Sequence, residues 1–332
     1  MTDHDPWACA DPLGEALHFL RMSGAFYARS ELSSPWGLDL PPLPHCLMFH
    51  VVVTGQSWLY VDERAPVLLR PGDLALVPHG AGHRLLSDPD AVATPLFDIP
   101  REFASERYEV LHHGGGGAPT RLICGAVRFD HAAAQQLITR LPSVLLVETA
   151  TSPAGEWIHS TLRLMAAEAQ SLRPGGETVI TRLADILVIQ AIREWIARDP
   201  AAQTGWLGAL QDKQIGRAIT AIHRHPDRPW SLETLAEVAA MSRSAFAARF
   251  TERVGVPAMH YVTQWRMNLA QTWLKDDGVA IADLAGRLGY QSEAAFSRTF
   301  KRVVGVSPGA VKRAGRPIRD ALPGAELARQ TA

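Results

Sequence analysis

The apolar positions of this chain follow two different spacings, and the change between them divides the sequence. Between about residues 46 and 100, short apolar runs such as His50–Thr54, Trp58–Val61 and Leu74–Val77 alternate with glycine, proline and aspartate. Such runs are typical of short antiparallel strands joined by tight turns. After about residue 130 the apolar residues recur every three or four positions, as in 156–172 and 178–198, which indicates helices. The pattern predicts an α+β protein with a β-rich first part and a helical remainder.

A second pattern, near the C-terminus, occurs twice. Residues 235–258 and 284–309 each contain a short helix that begins with Leu-Ala, a tight turn, and a second helix with two phenylalanines four positions apart. These phenylalanines are Phe246 and Phe250 in the first copy and Phe296 and Phe300 in the second. The repeat predicts two helix-turn-helix units within an all-α C-terminal domain.

Capping residues mark the ends of these helices. Ser242 and Ser292 can accept hydrogen bonds at the helix starts, and Gly255 and Gly305 stand where the helices should end. Between the two units, residues 257–275 predict one long helix. A helix of about 17 residues spans roughly 26 Å, at about 1.5 Å per residue. Successive major grooves on one face of B-DNA lie about 34 Å apart. A connector of this length can therefore hold two recognition helices in neighbouring grooves.

The exposed faces of the two recognition helices supply the candidate DNA-binding residues. These faces lie opposite the phenylalanines, where side chains can reach base edges and phosphates. The candidates are Arg243, Ser244, Ala247 and Arg249 in the first helix, and Glu293, Ala294, Ser297, Arg298 and Lys301 in the second. A plain helical bundle is the alternative interpretation, but it leaves the duplicated turns, caps and stops unexplained.

Charge is distributed unevenly and favours DNA binding. Residues 206–316 carry 16 Lys and Arg against 9 Asp and Glu, although the whole chain of 332 residues carries 33 against 34. This fits a two-domain protein in which one part binds a polyanion. We see no secretory signal and no apolar run that would span a membrane, and the 3 cysteines are scattered. We therefore expect a cytoplasmic protein without a membrane partner.

Residues from about 212 to 313 resemble the DNA-binding domain of the AraC/XylS family of bacterial transcription regulators. The resemblance rests on Leu235-Ala236, Met241-Ser242, Trp265-Arg266-Met267, Leu288-Gly289-Tyr290 and Gly305-Val306-Ser307-Pro308. It implies seven helices and binding to double-stranded promoter DNA as a monomer or a dimer. It also implies RNA polymerase as a partner if the protein is an activator.

The first recognition helix departs from the family pattern. Ala247 and Ala248 stand where relatives often carry larger polar residues. We therefore expect more of the base readout to come from Arg298 and its neighbours in the second helix.

The β-rich part resembles a cupin sensor domain, a small jelly-roll β-barrel found in many regulators of this family. Residues 72–83 fit the second cupin motif, which ends in His83 and points that side chain into the barrel. The first cupin motif normally supplies His-x-His and a glutamate as metal ligands. The corresponding zone, residues 45–50, includes His50 but no clear glutamate. The metal site of enzymatic cupins is therefore incomplete.

Three interpretations of the histidines in this domain stay open. His50, His79 and His83 can bind a transition metal, can hydrogen-bond a small organic effector, or can serve only the structure of the barrel. The sequence makes no cofactor certain. We expect any effector pocket to be lined by His50, Trp58, His79 and His83.

These observations predict an order of domains. We expect a cupin-like sensing domain over 1–130, a helical dimerisation and linker region over 131–205, a DNA-binding domain over 206–316 and a flexible tail over 317–332. The hairpin of helices in the second region has more apolar surface than one small β domain needs. We therefore expect a homodimer.

The sequence thus predicts a sequence-specific DNA-binding transcription regulator, not an enzyme, whose promoter binding is modulated by a small effector in the cupin-like domain. The alternative is a cupin metalloenzyme, of dioxygenase or isomerase type, fused to a DNA-binding domain. The incomplete ligand set argues against the alternative, because a catalytic metal needs about three protein ligands and an open position.

Overall fold

A computed structural model describes residues 22–44, 46–105, 107–129, 137–148, 155–171, 173–274 and 279–314, together with Gly14 and Ala134. The chain divides into two compact units. One unit comprises Leu20–Asp130 and Gln135–Arg198, and the other contains Asp199–Ala332. The tail predicted over 317–332 lies outside the described residues. Across the described ranges, no helix is long and apolar enough to cross a membrane.

The first unit is built on two β-sheets. Its strands are β1 (Met22–Ser33), β2 (Gly37–Leu40), β3 (Cys46–Thr54), β4 (Ser57–Val61), β5 (Val67–Leu69), β6 (Leu74–Val77), β7 (His83–Leu86), β8 (Thr94–Pro95), β9 (Arg101–Phe103), β10 (Tyr108–Gly114), β11 (Pro119–Phe129) and β12 (Leu145–Val147). A 7-stranded sheet has the order β12-β6-β3-β11-β1-β10-β9, and a 5-stranded sheet has the order β5-β4-β7-β2-β8.

The two sheets pack face to face around one apolar core. Leu38 and Leu59 from the smaller sheet and Val52 and Leu111 from the larger sheet belong to the same buried cluster. The expected jelly-roll arrangement is therefore confirmed in outline. The correction is that the described strands form two separate sheets, a sandwich, and not a single closed barrel.

Two long helices complete the first unit. They are α1 (Gly155–Ser171) and α2 (Gly176–Arg198), and they pack against each other as the predicted hairpin. On α2, Leu187, Ile192 and Ile196 are buried inside the unit. Part of the apolar stripe that the sequence shows on this helix therefore stabilises the unit itself.

The second unit is helical. Its helices are α3 (Gly205–Ala209), α4 (Lys213–Arg224), α5 (Leu232–Val238), α6 (Arg243–Val254), α7 (Ala258–Trp273), α8 (Ile281–Arg287), α9 (Glu293–Val304) and α10 (Pro308–Ala314). Seven of these described helices, α4 to α10, lie within the range that resembles the AraC/XylS domain, as the resemblance implies. The cap residues behave as predicted: Ser242 and Ser292 accept hydrogen bonds from the backbone N–H of Ala245 and Ala295.

The turns of the two repeats differ in one residue that bears directly on stability. Ala240 in the first turn and Gly289 in the second occupy equivalent places, and their φ angles are 52° and 74°. Positive φ costs a residue with a side chain about 1 kcal/mol or more. At Gly289, a Cβ atom would also clash with the backbone oxygen of Asp227.

The same exchange is therefore expected to act in opposite directions at the two turns. Ala240→Gly should raise the free energy of unfolding by roughly 0.5–1 kcal/mol, because Ala240 is exposed and glycine relieves the strain. Gly289→Ala should lower it by more than about 1 kcal/mol. Urea denaturation of the full chain measures both values. Equal effects at the two turns would contradict this account.

Candidate nucleic-acid interface and buried polar row

The recognition helices α6 and α9 use their phenylalanines as predicted. Phe246 and Phe250 on α6, and Phe296 and Phe300 on α9, are fully buried. Each pair packs ring against ring, with centroids 5.4 Å apart on α6 and 5.6 Å apart on α9. None of the nine candidate DNA-binding residues is buried.

The second recognition helix presents its cations to solvent. Arg298 and Lys301 are exposed, as are Glu293 and Ala294, while Ser297 is half-buried between them. Among the described residues, no carboxylate forms an ion pair with Arg298 or Lys301. Both side chains are therefore available to an anionic or hydrogen-bonding partner.

The first recognition helix uses its arginines differently. Arg249 donates to Asp212 Oδ2 at 2.8 Å and to Gln214 Oε1 at 3.0 Å. Asp212 also caps α4. Burial raises the pKa of its carboxyl, but the hydrogen bonds from the backbone N–H of Ile215 and Gln214 and from Arg249 outweigh it and hold the pKa below the usual value. Arg243 forms an exposed ion pair with Glu233 at 2.8 Å. Arg249 thus fixes α6 against α4, which the spacing of the sequence does not reveal.

The connector helix between the two helix-turn-helix units is close to the predicted length. Helix α7 has 16 residues, so it spans roughly 24 Å at about 1.5 Å per residue. It begins after Pro257 and buries Tyr261, Val262 and Trp265 against the rest of the unit.

A second candidate site lies in the interior of the sandwich. His83 Nδ1 lies 2.9 Å from the backbone oxygen of Ala81, and its Nε2 lies 2.7 Å from His50 Nε2. The other ring nitrogen of His50, Nδ1, lies 3.0 Å from Cys124 Sγ. The three side chains form a continuous hydrogen-bonded chain, here called the relay.

Only one arrangement of protons satisfies the relay when its groups are neutral. The oxygen of Ala81 can only accept, so His83 Nδ1 carries its proton and His83 Nε2 accepts. His50 Nε2 must then donate to His83, which leaves His50 Nδ1 to accept from the Cys124 thiol. Burial lowers the pKa of both histidines, that of His50 strongly, and raises the pKa of Cys124 to about 12. All three groups are therefore neutral near pH 7.

A buried carboxyl extends this polar row across the larger sheet. Pairing of neighbouring strands places Glu109 beside Ala28, Ala28 beside Cys124, and Cys124 beside His50. Directly paired residues share one face of a sheet, so Glu109 belongs to the same inner row. Burial raises the pKa of Glu109 to about 7, against the opposing effect of Arg101, whose Nη1 lies 3.6 Å away.

Two of the four predicted pocket residues lie elsewhere, which corrects the expectation. His79 is exposed at the surface and contacts the backbone oxygen of Ile138 at 3.1 Å. Trp58 pairs with Leu86 on β7, whereas His83 pairs with Val61. An odd number of positions separates Trp58 from Val61, so Trp58 points to the outer face of its sheet.

The three histidines proposed as metal ligands are therefore not brought together. In the ranges that the structure describes, no group of three or more His, Cys, Asp or Glu side chains is arranged to hold a metal ion. His50 and His83 face each other, but Cys124 contacts the opposite ring nitrogen of His50.

Comparison with known proteins decides the family. A family profile described as Cupin matches residues 11–197, and one described as Helix-turn-helix domain matches residues 235–314. A putative AraC-like transcription regulator of Streptomyces lividans is 34% identical over 301 residues, which cover 90% of this chain and 97% of that relative. This chain belongs to the AraC-like transcription regulators.

Other relatives agree with this placement of the regulator. The HTH-type transcriptional regulator AlkR of Acinetobacter baylyi is 30% identical over 303 residues, covering 90% of this chain and 97% of that protein. Among solved structures, the DNA-binding domain of AdpA in complex with a target DNA is 30% identical, covers 32% of this chain and 96% of that chain, and has a TM-score of 0.30. The two matched profiles place a cupin domain before the helix-turn-helix domain of this AraC-like regulator.

The buried carboxyl predicts a pH dependence of the regulator's stability. Because the pKa of Glu109 is raised from 4.5 to about 7 on folding, its ionisation opposes folding. The cost is absent below about pH 4.5, grows between pH 4.5 and 7, and is complete above pH 7. Glu109→Gln should therefore stabilise the first unit by on the order of 1–3 kcal/mol at pH 8 and by little at pH 4.5.

Urea denaturation at both pH values measures this difference. The matched control is Glu102→Gln, which changes an exposed carboxylate on the neighbouring strand β9 and should alter stability little at either pH. An equal gain for Glu109→Gln at pH 4.5 and pH 8 would show that Glu109 does not titrate as described.

Proposed function

We propose that this regulator responds to a small organic molecule that binds in the sandwich interior and changes its affinity for promoter DNA. The observation that carries the proposal is the buried polar row within an apolar core. Ser57 Oγ and Trp36 Nε1 are also buried in this unit without a hydrogen-bond partner among the described residues. Buried polar groups without partners are rare in proteins and mark places where a ligand or water completes the bonding.

The relay offers a physical route by which a bound ligand can change the conformation of the sandwich. His83 comes from the smaller sheet and His50 and Cys124 from the larger one, so the 2.7 Å hydrogen bond between the histidines joins the two sheets. Every nitrogen of both rings is already bonded. A ligand that hydrogen-bonds either histidine must therefore displace one of the bonds of the relay, and a ligand that takes either Nε2 atom breaks the bond between the two sheets.

The alternative, a cupin metalloenzyme, is less well supported by the geometry. His50 Nε2 and His83 Nε2 are hydrogen-bonded to each other. His79 is at the surface, and Cys124 lies on the far side of the His50 ring. A catalytic metal needs about three protein ligands around one open position. We therefore propose that the protein is not an enzyme.

A ligand screen tests the sensing proposal. Compounds that raise the unfolding temperature of the full chain are selected first, and their binding is then measured on His83→Ala and His79→Ala. We expect His83→Ala to weaken ligand binding by about tenfold or more, because a buried hydrogen-bond partner is lost. His79→Ala, a matched change at the surface, should bind as the wild type does.

The sensing proposal fails in either of two cases. One is a folded His83→Ala variant that binds the selected ligand and responds to it like the wild type. The other is equal weakening by both variants, which would place the ligand outside the sandwich interior.

We further propose that the regulator is a homodimer formed through α1 and α2. Each helix exposes two large apolar side chains seven positions apart, and these are Trp157 and Leu164 on α1 and Val179 and Ile186 on α2. Residues seven apart share one face of a helix. An exposed apolar face of this kind supports an interface between two copies.

The remaining partners follow from promoter binding. A protein that acts on chromosomal promoters works in the cytoplasm of a bacterial cell, which is where we propose this regulator acts. If it activates transcription, RNA polymerase is its further partner. Mapping of chromosomal binding sites together with transcript levels distinguishes activation from repression.

A further inference from the structure

Three segments of the DNA-binding unit meet around one side chain of the connector helix α7. Arg266 donates through Nε to the backbone oxygen of Pro226 at 2.7 Å and through Nη2 to that of Arg228 at 2.8 Å. Both oxygens belong to the loop between α4 and α5, which leads into the first helix-turn-helix unit. Arg266 therefore joins the connector helix to the loop before the first helix-turn-helix unit through two hydrogen bonds.

The same guanidinium contacts the second helix-turn-helix unit. Its central carbon lies 5.7 Å from the centre of the Tyr290 ring, in the turn between α8 and α9. Tyr290 in turn packs edge-on against Phe296, with ring centres 5.6 Å apart. Phe296 is a core residue of the second recognition helix. A continuous line of contacts thus runs from the loop between α4 and α5 through Arg266 to α9.

The backbone is shaped to permit this junction. Gly289, next to Tyr290, has a φ of 74°, and a side chain there would meet both the oxygen of Asp227 and Nη2 of Arg266. The turn between α8 and α9 therefore lies directly against the loop between α4 and α5, with Arg266 between them.

Helix α4, which precedes the first helix-turn-helix unit, is also held to α7 by packing that does not involve Arg266. The His223 ring of α4 stacks on Trp265 with centres 3.6 Å apart, and His223 Nε2 lies 2.8 Å from the Tyr261 hydroxyl. Helix α4 and the connector α7 are thus packed together without Arg266. The second helix-turn-helix unit meets this pair of helices at the contact between Tyr290 and Arg266.

We propose that Arg266 is a positioning residue that sets the separation and angle between the two recognition helices on DNA. Its planar fork satisfies two carbonyl oxygens while one face rests on Tyr290, which a lysine ammonium on a flexible stem cannot do. Simultaneous binding of two sites gains affinity only when the geometry of the linker fits their spacing. Arg266 makes the connector specific for one spacing.

The test uses full-length protein and DNA fragments that the wild type selects from a random library. The two contacted segments are mapped by methylation interference. Binding is then measured to the selected DNA, to versions with one or two base pairs added or removed between the segments, and to fragments with one segment scrambled. The variants are Arg266→Lys and, as a matched control at an exposed position near the junction, Arg287→Lys.

We expect Arg266→Lys to bind the selected DNA about 10- to 100-fold more weakly, to lose its preference among spacings, and to bind single-segment fragments like the wild type. Arg287→Lys should keep the wild-type spacing preference. Tyr290→Leu, which removes the ring but keeps an apolar side chain at this half-buried position, should reproduce the loss of spacing preference.

Two results would overturn the proposal. One is an unchanged spacing preference in folded Arg266→Lys, with thermal unfolding showing that the chain is intact. The other is an equal loss on single-segment and two-segment DNA with a reduced salt dependence, which would make Arg266 a direct phosphate contact.

Discussion

Replacing Arg298 with alanine is expected to weaken binding to the selected operator by about 1–3 kcal/mol, which is roughly 5- to 150-fold. Arg298 is exposed on α9, opposite the buried Phe296 and Phe300, and none of the described carboxylates forms an ion pair with it. Its guanidinium can therefore make the bidentate contact with guanine that is the commonest specific contact of arginine. We expect preference to be lost at one base pair.

Binding of the variant to a panel of operators, each with one base pair changed, measures this effect. The matched control is Arg64→Ala, which removes an exposed arginine between β4 and β5 of the first unit and should leave DNA binding unchanged. A uniform loss over all operators, with a smaller salt slope, would identify Arg298 as a phosphate contact and would refute base reading by this residue.

Placing a charge on the exposed apolar face of the hairpin is expected to separate the dimer. Leu164 on α1 is 61% exposed, so Leu164→Asp should leave the subunit folded while putting a carboxylate into the proposed interface. Burial of an unpaired charge costs several kcal/mol, so the variant should be monomeric at concentrations where the wild type is paired. Leu187→Asp should instead unfold the first unit, because Leu187 is 1% exposed.

Light scattering at micromolar concentration, combined with thermal unfolding, measures both outcomes. Val92→Asp is the matched control, since Val92 is 85% exposed in the same unit but lies outside α1 and α2. It should remain a dimer. A monomeric wild type would refute the dimer outright, and a dimeric Leu164→Asp would move the interface away from this face.

The local signals in the sequence predicted the DNA-binding unit well. Ser242, Ser292, Gly255 and Gly305 act within one turn of helix, so their effect does not depend on the rest of the fold. The role of Arg249 was beyond such reasoning, because its partner Asp212 is 37 positions away. An arginine on a predicted recognition helix looks the same whether it contacts DNA or its own domain.

The strand β1 shows why the first unit was harder to predict. Its inner side carries the polar Ser30 among apolar residues, and its other side carries Arg29 and Glu31 beside Tyr27, so the apolar alternation is interrupted on both faces. Arg29 and Glu31 form an ion pair at 3.5 Å on its outer side, and Arg121 on β11 adds a second at 3.0 Å. In the sequence these charged residues favour a loop, although they lie on a central strand of the larger sheet.

The sensor interior needed knowledge of register that the sequence does not contain. The run Trp58-Leu59-Tyr60-Val61 is apolar at every position, so alternation does not tell which side chains face inward. Glu109 was missed for a different reason. A glutamate in sequence indicates a solvated surface, and only strand pairing places it beside Ala28 and in the row of Cys124 and His50.

A ligand in the sandwich interior is proposed to change DNA affinity, and thermodynamic reciprocity tests that coupling most directly. Titration calorimetry on the wild-type chain measures the ligand's Kd with and without operator, and the operator's Kd with and without ligand. We predict that both change by the same factor, about 5- to 150-fold, as a coupling of about 1–3 kcal/mol requires. A ligand that binds through His83 and leaves operator affinity unchanged would contradict the account.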